Sequence, residues 1–406
     1  MIKLIHITTV PQTLNFFTGQ IGFMKEQGFE VLAISSPDKL LGEFCCREGI
    51  RGYAIEMQRA ITPHRDLVAA FRLARLFRRI RPAIVHAHTP KAGLLGMLAA
   101  AAAGVPVRIF EIHGLPQLTA TGMRRTLLNW GTRIACRLSH RVLCVSHSIR
   151  AAAVSGKLAP EQKIAVAGNG SANGVDADGL FNPAHLAPNS RNQVRARYGI
   201  NPDALVMGFV GRLVRDKGMV ELVAAWNLLR DDFPNLHWLL VGDFEPHDPL
   251  SVTVLKQFRT DARIHRTGWS NNLPELYSAM DLLVLPSYRE GFPVVALEAA
   301  AMALPVVATR VPGCADSVEH GITGTLIEPR DPRGLASAIR AYLTDPQMRA
   351  RHGEAGRKRT LLDFQPQAIW CSVQGEYVRL LREKCAGYAT QPTDRMASAG
   401  WGANTL

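Results

Sequence analysis

Acidic residues are scarce in the first half of this 406-residue chain: Met1 to Asn182 holds 22 lysines and arginines against 11 aspartates and glutamates, and the remainder holds 25 against 23. The net charge of +13 therefore sits mostly in the amino-terminal half, an asymmetry that points to an anionic partner there, whether nucleic acid or membrane surface. Cysteines number seven, an odd count, with Cys45 and Cys46 adjacent and no pair at metal-ligand spacing. That excludes a disulfide scaffold or zinc finger and fits reduced thiols in a cytoplasm. No apolar run reaches the roughly 20 residues of a membrane helix, and the uncharged stretch Ala92 to Val107, rich in glycine and alanine, reads as a packed helix. The opening residues MIKLIHITTVPQ are interrupted by His6 and two threonines and lack a small-residue cleavage site, so a first strand is expected and not a leader.

What remains is the composition of a folded globular protein, 47% apolar and 20% charged, too long for one core. Short apolar runs alternate with helical stretches. Ile2–Thr8 and Val31–Ser35 flank a helix over Leu14–Glu26, and further strands are expected at Ala83–Ala87, Val107–Ile112, Arg141–Ser146 and Lys163–Ala167. A second set follows near Asp203 with ALVMGFV, His237–Gly242, Ile264–Gly268, Leu282–Leu285 and Pro305–Ala308. This pattern predicts an α/β chain of two doubly wound, Rossmann-like domains. The expected boundaries are 1–185 for the first domain, 186–202 for a linker, 203–370 for the second, a terminal helix over 371–384 that crosses back, and a polar, disordered tail over 385–406.

The most informative stretch is DLLVLPSYREGFPVVALEAAAMALP, Asp281 to Pro305. Leu282 to Leu285 make a strand buried on both faces, Pro286 stops it, and a polar loop leads into an alanine-rich helix. In open α/β sheets such a strand end is where ligands sit. Glu290 in the loop and Glu298 more than a turn into the helix can face one cleft, although two solvated carboxylates would show the same spacing.

EGFPVVALE resembles the glutamate, seven residues, glutamate motif of retaining nucleotide-sugar glycosyltransferases of family four, which have the two-domain GT-B fold. The resemblance implies that Glu298 binds the nucleotide ribose, and that Glu290, with the backbone of Gly291, Phe292 and Pro293, lies against the donor sugar. Gly211, Arg212 and Lys217 in GRLVRDKG match the family's donor ligands, with the two cations facing a diphosphate. His113 in HGLPQ matches a histidine beside the reacting face of the sugar, and the TGW turn, with Gly268 and Trp269, resembles the loop that reads the base. The resemblance runs from about Met1 to Lys384. Departures are a single glycine, Gly19, where relatives place a pair, Asp316 where they carry a glutamate, and Ala303 where they carry a glycine.

Three other features compete for a role. His86 and His88 share a strand face, but no third ligand lies near them in sequence, so a metal site is not expected. Asp176, Ala177 and Asp178 spell a metal-binding carboxylate pair in a turn-rich segment where turn chemistry is the simpler reading. The basic stretches Asp66–Ile80 and Met123–Arg141, with Arg72, Arg75, Arg78 and Arg79 in the first and Trp130 in the second, suit an anionic membrane surface, or equally a solvated helix face. The first helix is expected to turn Leu67, Phe71, Ala74 and Phe77, or Phe71, Leu76 and Ile80, to the core.

The implied activity is retaining transfer from a nucleotide-diphosphate sugar, a UDP-sugar, to a lipid-linked or saccharide acceptor in bacterial surface-polysaccharide synthesis. No cofactor and no metal are implied. The protein would work in the cytoplasm, on the inner face of the membrane. Rival readings are a nucleotide-sugar 2-epimerase of the same architecture and a non-catalytic protein that binds anionic surfaces. No nucleic-acid-binding motif is recognised in the sequence.

Overall fold

A computed structural model of the chain describes residues 1–245 and 248–385. Apart from Cys385, the expected disordered tail lies outside the described residues. Seven strands build the first sheet: β1 (Ile2–Ile7), β2 (Phe29–Ser35), β3 (Arg51–Ala54), β4 (Ile84–His88), β5 (Val107–Ile112), β6 (Arg141–Cys144) and β7 (Ile164–Val166). They pair in the order β3-β2-β1-β4-β5-β6-β7, every pair parallel. Six more build the second: β8 (Leu205–Val210), β9 (Leu236–Val241), β10 (Ile264–Gly268), β11 (Leu282–Leu285), β12 (Val306–Thr309) and β13 (Gly324–Ile327), in the parallel order β10-β9-β8-β11-β12-β13. In each sheet the winding direction reverses once, between β1 and β4 and between β8 and β11. Those reversals open the crevices where loops diverge.

The central strands are apolar on both faces because helices cover both. All four residues of β11 are buried, as are Val206 to Val210 of β8. Ala172, Val175, Ala177 and Phe181 already belong to the second core, so the chain enters the second domain well before residue 185. Residues 186–202 are likewise no free linker. They contain the helix Ser190–Arg197, whose fully buried Arg195 donates to the carbonyls of Ala279, Pro202 and Ala204 and to Asp281 at 3.0 Å. Asp281 also accepts from Arg191 at 2.7 Å and from the Val206 amide at 2.7 Å. A charge pair fixed this way ties the helix to the start of both central strands.

The chain crosses back near residue 365, beside its first crossing: the Val175 amide donates to the Phe364 carbonyl at 2.9 Å and Trp370 Nε1 to Asn173 at 2.6 Å. The helix Pro366–Lys384 then packs Val373, Tyr377, Leu380 and Leu381 into the first domain's core with Phe17, Phe29 and Ile109. Gly19 has φ 80°, and a Cβ there would lie 2.8 Å from the Trp370 ring. It is a packing glycine, and it splits the expected helix over Leu14–Glu26 into a 3-10 turn, Pro11–Phe17, and a helix, Gln20–Glu26.

The first basic helix, Pro63–Ile80, turns Ala69, Leu73, Ala74, Phe77 and Ile80 inward, leaving Leu67 73% and Phe71 65% exposed. The expected core face holds at Ala74, Phe77 and Ile80 and fails at Leu67 and Phe71: apolar residues lie on more than one side of this helix, and only its neighbours decide which are covered. Ala303 holds φ 58°, the region that favours glycine, so its side chain strains the turn before β12.

Removing Arg195 leaves Asp281 and three carbonyls without their partner in a buried site. Arg195→Ala should lower the unfolding free energy by about 3–5 kcal/mol, measured by urea unfolding followed through tryptophan fluorescence.

Candidate functional site

The loops that follow β8 and β11 meet at the reversal of the second sheet. β8 ends at Gly211, φ 147°, and after Arg212 a 3-10 turn, Arg215–Lys217, closes on Gly218, φ 72°. A Cβ on Gly218 would strike the Pro286 carbonyl, so this glycine is what lets the two loops touch. Lys217 Nζ pairs with Glu290 Oε1, and Ser287 Oγ donates to the same oxygen at 2.7 Å. Beside them Arg289 pairs with Asp216 at 2.9 Å. Arg212 pairs with Glu245 beyond β9, and Arg59 of the first domain reaches the other oxygen of that carboxylate. Burial pushes the Glu245 carboxyl up, but hydrogen bonds and charge from Arg212 and Arg59 outweigh it and hold it below the usual range. Each of the two expected phosphate-binding cations is thus gripped by a carboxylate of the chain.

Glu298 lies half-buried on the helix Val294–Ala301, where the Tyr277 hydroxyl donates to its Oε2 at 2.8 Å. Burial pushes its carboxyl up to about 7, with the Tyr277 hydrogen bond pulling the other way. Phe292 is 8% exposed and packs on Phe364 at the domain crossing, so only its backbone faces the loop. Gly211, Gly242 and Gly268 adjoin one another through the Gly211 amide on Val241 and the Gly242 amide on Gly268. Trp269 is 73% exposed and donates to Asn271 in its own turn. The structure therefore brings Arg212, Lys217 and Glu290 into two adjoining loops and sets Trp269 apart at the edge strand.

The first domain faces this site directly. A Cβ on Gly291 would strike the His113 carbonyl oxygen, and one on Gly114 would lie 3.7 Å from Gly291. Ser146 Oγ donates to the Gly291 carbonyl at 2.9 Å, the Gly313 amide donates to Ser148 Oγ at 2.7 Å, and Asp316 accepts the Ser148 amide at 3.1 Å. Asp316, one methylene shorter than glutamate, is occupied with capping the helix His147–Ser155 across the domain boundary.

Behind His113 lies a cluster that sequence spacing did not show. Glu111, 5% exposed, receives His88 Nδ1 at 2.9 Å and His113 Nε2 at 3.2 Å, with His86 Nε2 at 3.5 Å. His88 Nε2 lies 3.0 Å from His6 Nδ1, and His86 Nδ1 lies 2.7 Å from the Tyr377 hydroxyl. Burial lowers His88 to about 4 and drives His6 and His86 well below the usual range. Burial alone would raise Glu111, but the His113 charge and the hydrogen bonds from His113 and His88 hold it well below the carboxylate range. The strand pleat makes this possible: His86 and His88 share a face of β4, and β1 and β5 flank it.

A third ligand, missing near the two histidines in sequence, is thus supplied by other strands: His6, His86 and His88, or His88, Glu111 and His113, lie close enough for one ion. Both nitrogens of His88 are engaged within the cluster, so it reads as a hydrogen-bonded network. Asp176 accepts the amides of Gly179 and Leu180, at 2.9 Å each, as turn chemistry requires. Glu111 was legible in part, as a lone carboxylate in an otherwise apolar strand two residues before His113. His6 and Tyr377 carried no local signal.

Residues 190–359 match the family described as glycosyl transferases group 1, and residues 20–170 match the glycosyl transferase 4-like domain. The chain is 30% identical over 382 residues to the capsular polysaccharide biosynthesis glycosyltransferase CapM of Staphylococcus aureus, covering 94% of this chain and 98% of that protein. It is 27% identical over 284 residues to the Escherichia coli UDP-Gal:alpha-D-GlcNAc-diphosphoundecaprenol alpha-1,3-galactosyltransferase, 69% of this chain and 71% of that one. Among solved structures, Anabaena HepE in complex with UDP and glucose superposes with a TM-score of 0.76 at 20% identity, over 93% of this chain and 99% of that one.

The two domains should respond to pH with opposite signs. The buried histidines are depressed, so the stability tied to them is present above the ordinary histidine value of 6.5 and is lost as pH falls towards about 4, while Glu111, also depressed, adds its loss only below the ordinary carboxyl value of 4.5. Glu298 is raised, so its contribution is present below 4.5 and is lost as pH rises through about 7. Glu298→Gln should therefore melt higher than the parent at pH 8, with the difference fading by pH 5, as read by thermal denaturation across that range.

Proposed function

Because the chain belongs to the family-four glycosyltransferases of the two-domain GT-B fold, we propose that it moves a sugar from a UDP-sugar, with retention at the anomeric carbon, to a lipid-linked or saccharide acceptor in bacterial surface-polysaccharide synthesis. The observation that carries this reading is the convergence of Arg212, Lys217 and Glu290 in adjoining loops that press on the backbone of His113. Two relatives agree with it: one is a capsular polysaccharide biosynthesis glycosyltransferase, and another takes UDP-galactose to a diphosphoundecaprenol-linked sugar.

In this reading the donor's ribose hydroxyls bind Glu298 and its diphosphate takes Arg212 and Lys217 from Glu245 and Glu290. As the sugar–phosphate bond breaks, negative charge grows on the leaving oxygen, and two fixed cations stabilise it more than they stabilise the bound donor. They would serve the role that a metal ion serves in other enzymes. The amides of Gly291 and Phe292 donate to no acceptor among the described residues, which leaves the amino end of the helix Val294–Ala301 open to anionic oxygens. Released from Lys217, Glu290 stands beside the sugar with Ser287 to orient it. His113 lies on the opposite wall. The departing phosphate serves as the base that accepts the acceptor's proton, which delivers the acceptor to the face the diphosphate leaves.

The surface of the first domain supports the lipid-linked branch. On the helix Gly122–Leu138, Met123, Leu127, Trp130 and Ile134 form one stripe and are 79%, 47%, 62% and 37% exposed. Arg124, Arg125, Arg133 and Arg137 flank them, and the helix carries no acid. The helix Pro90–Ala102 packs between this one and Pro63–Ile80, whose Leu67, Val68 and Phe71 are exposed too. No described helix is long and apolar enough to cross a membrane. Exposed apolar side chains among arginines suit a helix lying in an anionic interface.

Lys217→Ala should reduce UDP release from UDP-glucose or UDP-galactose by about 10²–10³-fold, with a smaller effect on melting temperature, since Ser287 still donates to Glu290 when its partly buried partner is removed. Parallel loss of activity and stability would count against the diphosphate role. Neutralising Arg72, Arg75, Arg78 and Arg79 should weaken binding to vesicles containing anionic phosphatidylglycerol in a flotation assay. Unchanged partitioning would remove the membrane from the proposal.

A further inference from the structure

We infer that Glu111 is a positioning residue for the transfer reaction: through its hydrogen bond to His113 Nε2 it fixes which ring nitrogen His113 offers to the sugar. The inference rests on the reading of His113 as a group beside the donor.

Glu111 is a buried carboxylate that hydrogen-bonds to no lysine or arginine among the described residues. Its partners are imidazoles alone, from β4 and from the end of its own strand. A carboxylate in such a place costs stability unless each partner donates to it, and that requirement assigns the protons. His88 Nδ1 and His113 Nε2, 3.0 Å apart, close on the same oxygen, Oε2, and both must carry hydrogen there. His88 Nε2 is then bare and accepts from His6 Nδ1. His86 turns its Nε2–H towards Glu111 at the longer distance and accepts the Tyr377 hydroxyl at Nδ1. Apart from His86 Nε2–H, which lies 3.5 Å from Glu111 without a hydrogen bond, every proton placed this way has an acceptor, and the only ring nitrogen of His6, His86 and His88 left bare without a donor is His6 Nε2, which is buried with no partner.

For His113 the result is specific. Its Nε2 is committed to Glu111, no described residue hydrogen-bonds its Nδ1, and its ring is held flat against Phe16, at 5.8 Å and 12° between planes, with the edge of Phe17 on another side. The nitrogen left for a ligand is Nδ1. With its Nε2–H committed to Glu111, the neutral ring presents Nδ1 as an acceptor, so His113 can take a hydrogen bond there from a sugar hydroxyl. The chain needs no added group for this. The pleat puts Glu111 and His113 two residues apart on one side of β5, and β4 supplies His88 to lock the carboxylate in place.

The test compares the parent with Glu111→Gln, Glu111→Asp, His113→Asn and the double variant Glu111→Gln/His113→Asn, using UDP release from UDP-glucose and UDP-galactose and long-range proton–nitrogen spectra of [15N]histidine-labelled protein. The expected outcome is a fall in kcat of about 10- to 100-fold for Glu111→Gln with KM nearly unchanged, partial rescue in Glu111→Asp, and no further loss when Glu111→Gln is added to His113→Asn. The spectra should show His113 as the Nε2–H tautomer in the parent and a mixture in Glu111→Gln. Unaltered tautomer in Glu111→Gln, or equal loss with and without His113, overturns the inference. If His113→Asn keeps full activity, the placement of His113 beside the donor fails, while the spectra still decide whether Glu111 sets its tautomer. Should Glu111→Gln not fold, Glu111→Asp carries both readouts, because a carboxylate one methylene shorter must still shift the Nε2 resonance of His113.

Discussion

Both sheets of this protein are parallel throughout, and from that constraint most of the rest follows. A parallel strand can be reached only by a crossover that returns over a face of the sheet, so every functional loop of a domain leaves from the same edge. The winding must reverse if both faces are to be covered, and at the reversal two neighbouring loops part in opposite directions. The second domain places Arg212 and Lys217 on one of those loops and Glu290 on the other, with Gly218 against Pro286 allowing them to approach. The first domain repeats the arrangement and turns the same edge inward. Glycines then decide how near the two edges come, since a side chain on Gly291 would collide with the His113 carbonyl.

Electrostatics works within that frame through exchange of partners. Arg212 and Lys217 are not idle cations awaiting an anion; each holds a carboxylate, and Arg59 of the opposite domain shares one of them. In the proposed reading a diphosphate would take over cations whose long side chains these pairs already hold in place, which lowers the cost of ordering them when it binds. Glu245 then links the domains as well as screening a cation. On the other wall a single buried carboxylate, Glu111, organises imidazoles from two strands, and the helix that ends the described chain completes that cluster with Tyr377.

Much of this was legible before any coordinates. The apolar run Leu282–Leu285, stopped by Pro286 and followed by a polar loop and an alanine-rich helix, marked the ligand edge because strand, breaker and helix each have a local cause. Arg212, Lys217, Glu290, Glu298 and His113 could be named for the same reason, as polar residues at strand ends. Their roles came from resemblance and not from spacing. What stayed hidden depends on chain segments far apart in sequence. Glu111 had no local mark of its role within its strand, since its partners come from β4 as well as from the end of β5. The helix Pro63–Ile80 has apolar residues on more than one face, so periodicity could not choose between Leu67 and Leu73. The segment 186–202 looked like a linker because a single buried arginine, Arg195, holds it.

The last helix has a consequence for how the polypeptide is made. Val373, Tyr377, Leu380 and Leu381 are built into the first domain's core, although nearly two hundred residues of the other domain separate them from the rest of it. During synthesis, strands β1 to β7 emerge with an apolar groove and with His86 lacking its Tyr377 partner, and they must wait for residues 366–384 to leave the ribosome. The second domain, contiguous apart from its crossings, can mature first. Ribosome stalling or premature termination near residue 365 would then yield a finished second domain joined to an unfinished partner, a natural substrate for chaperones or proteases.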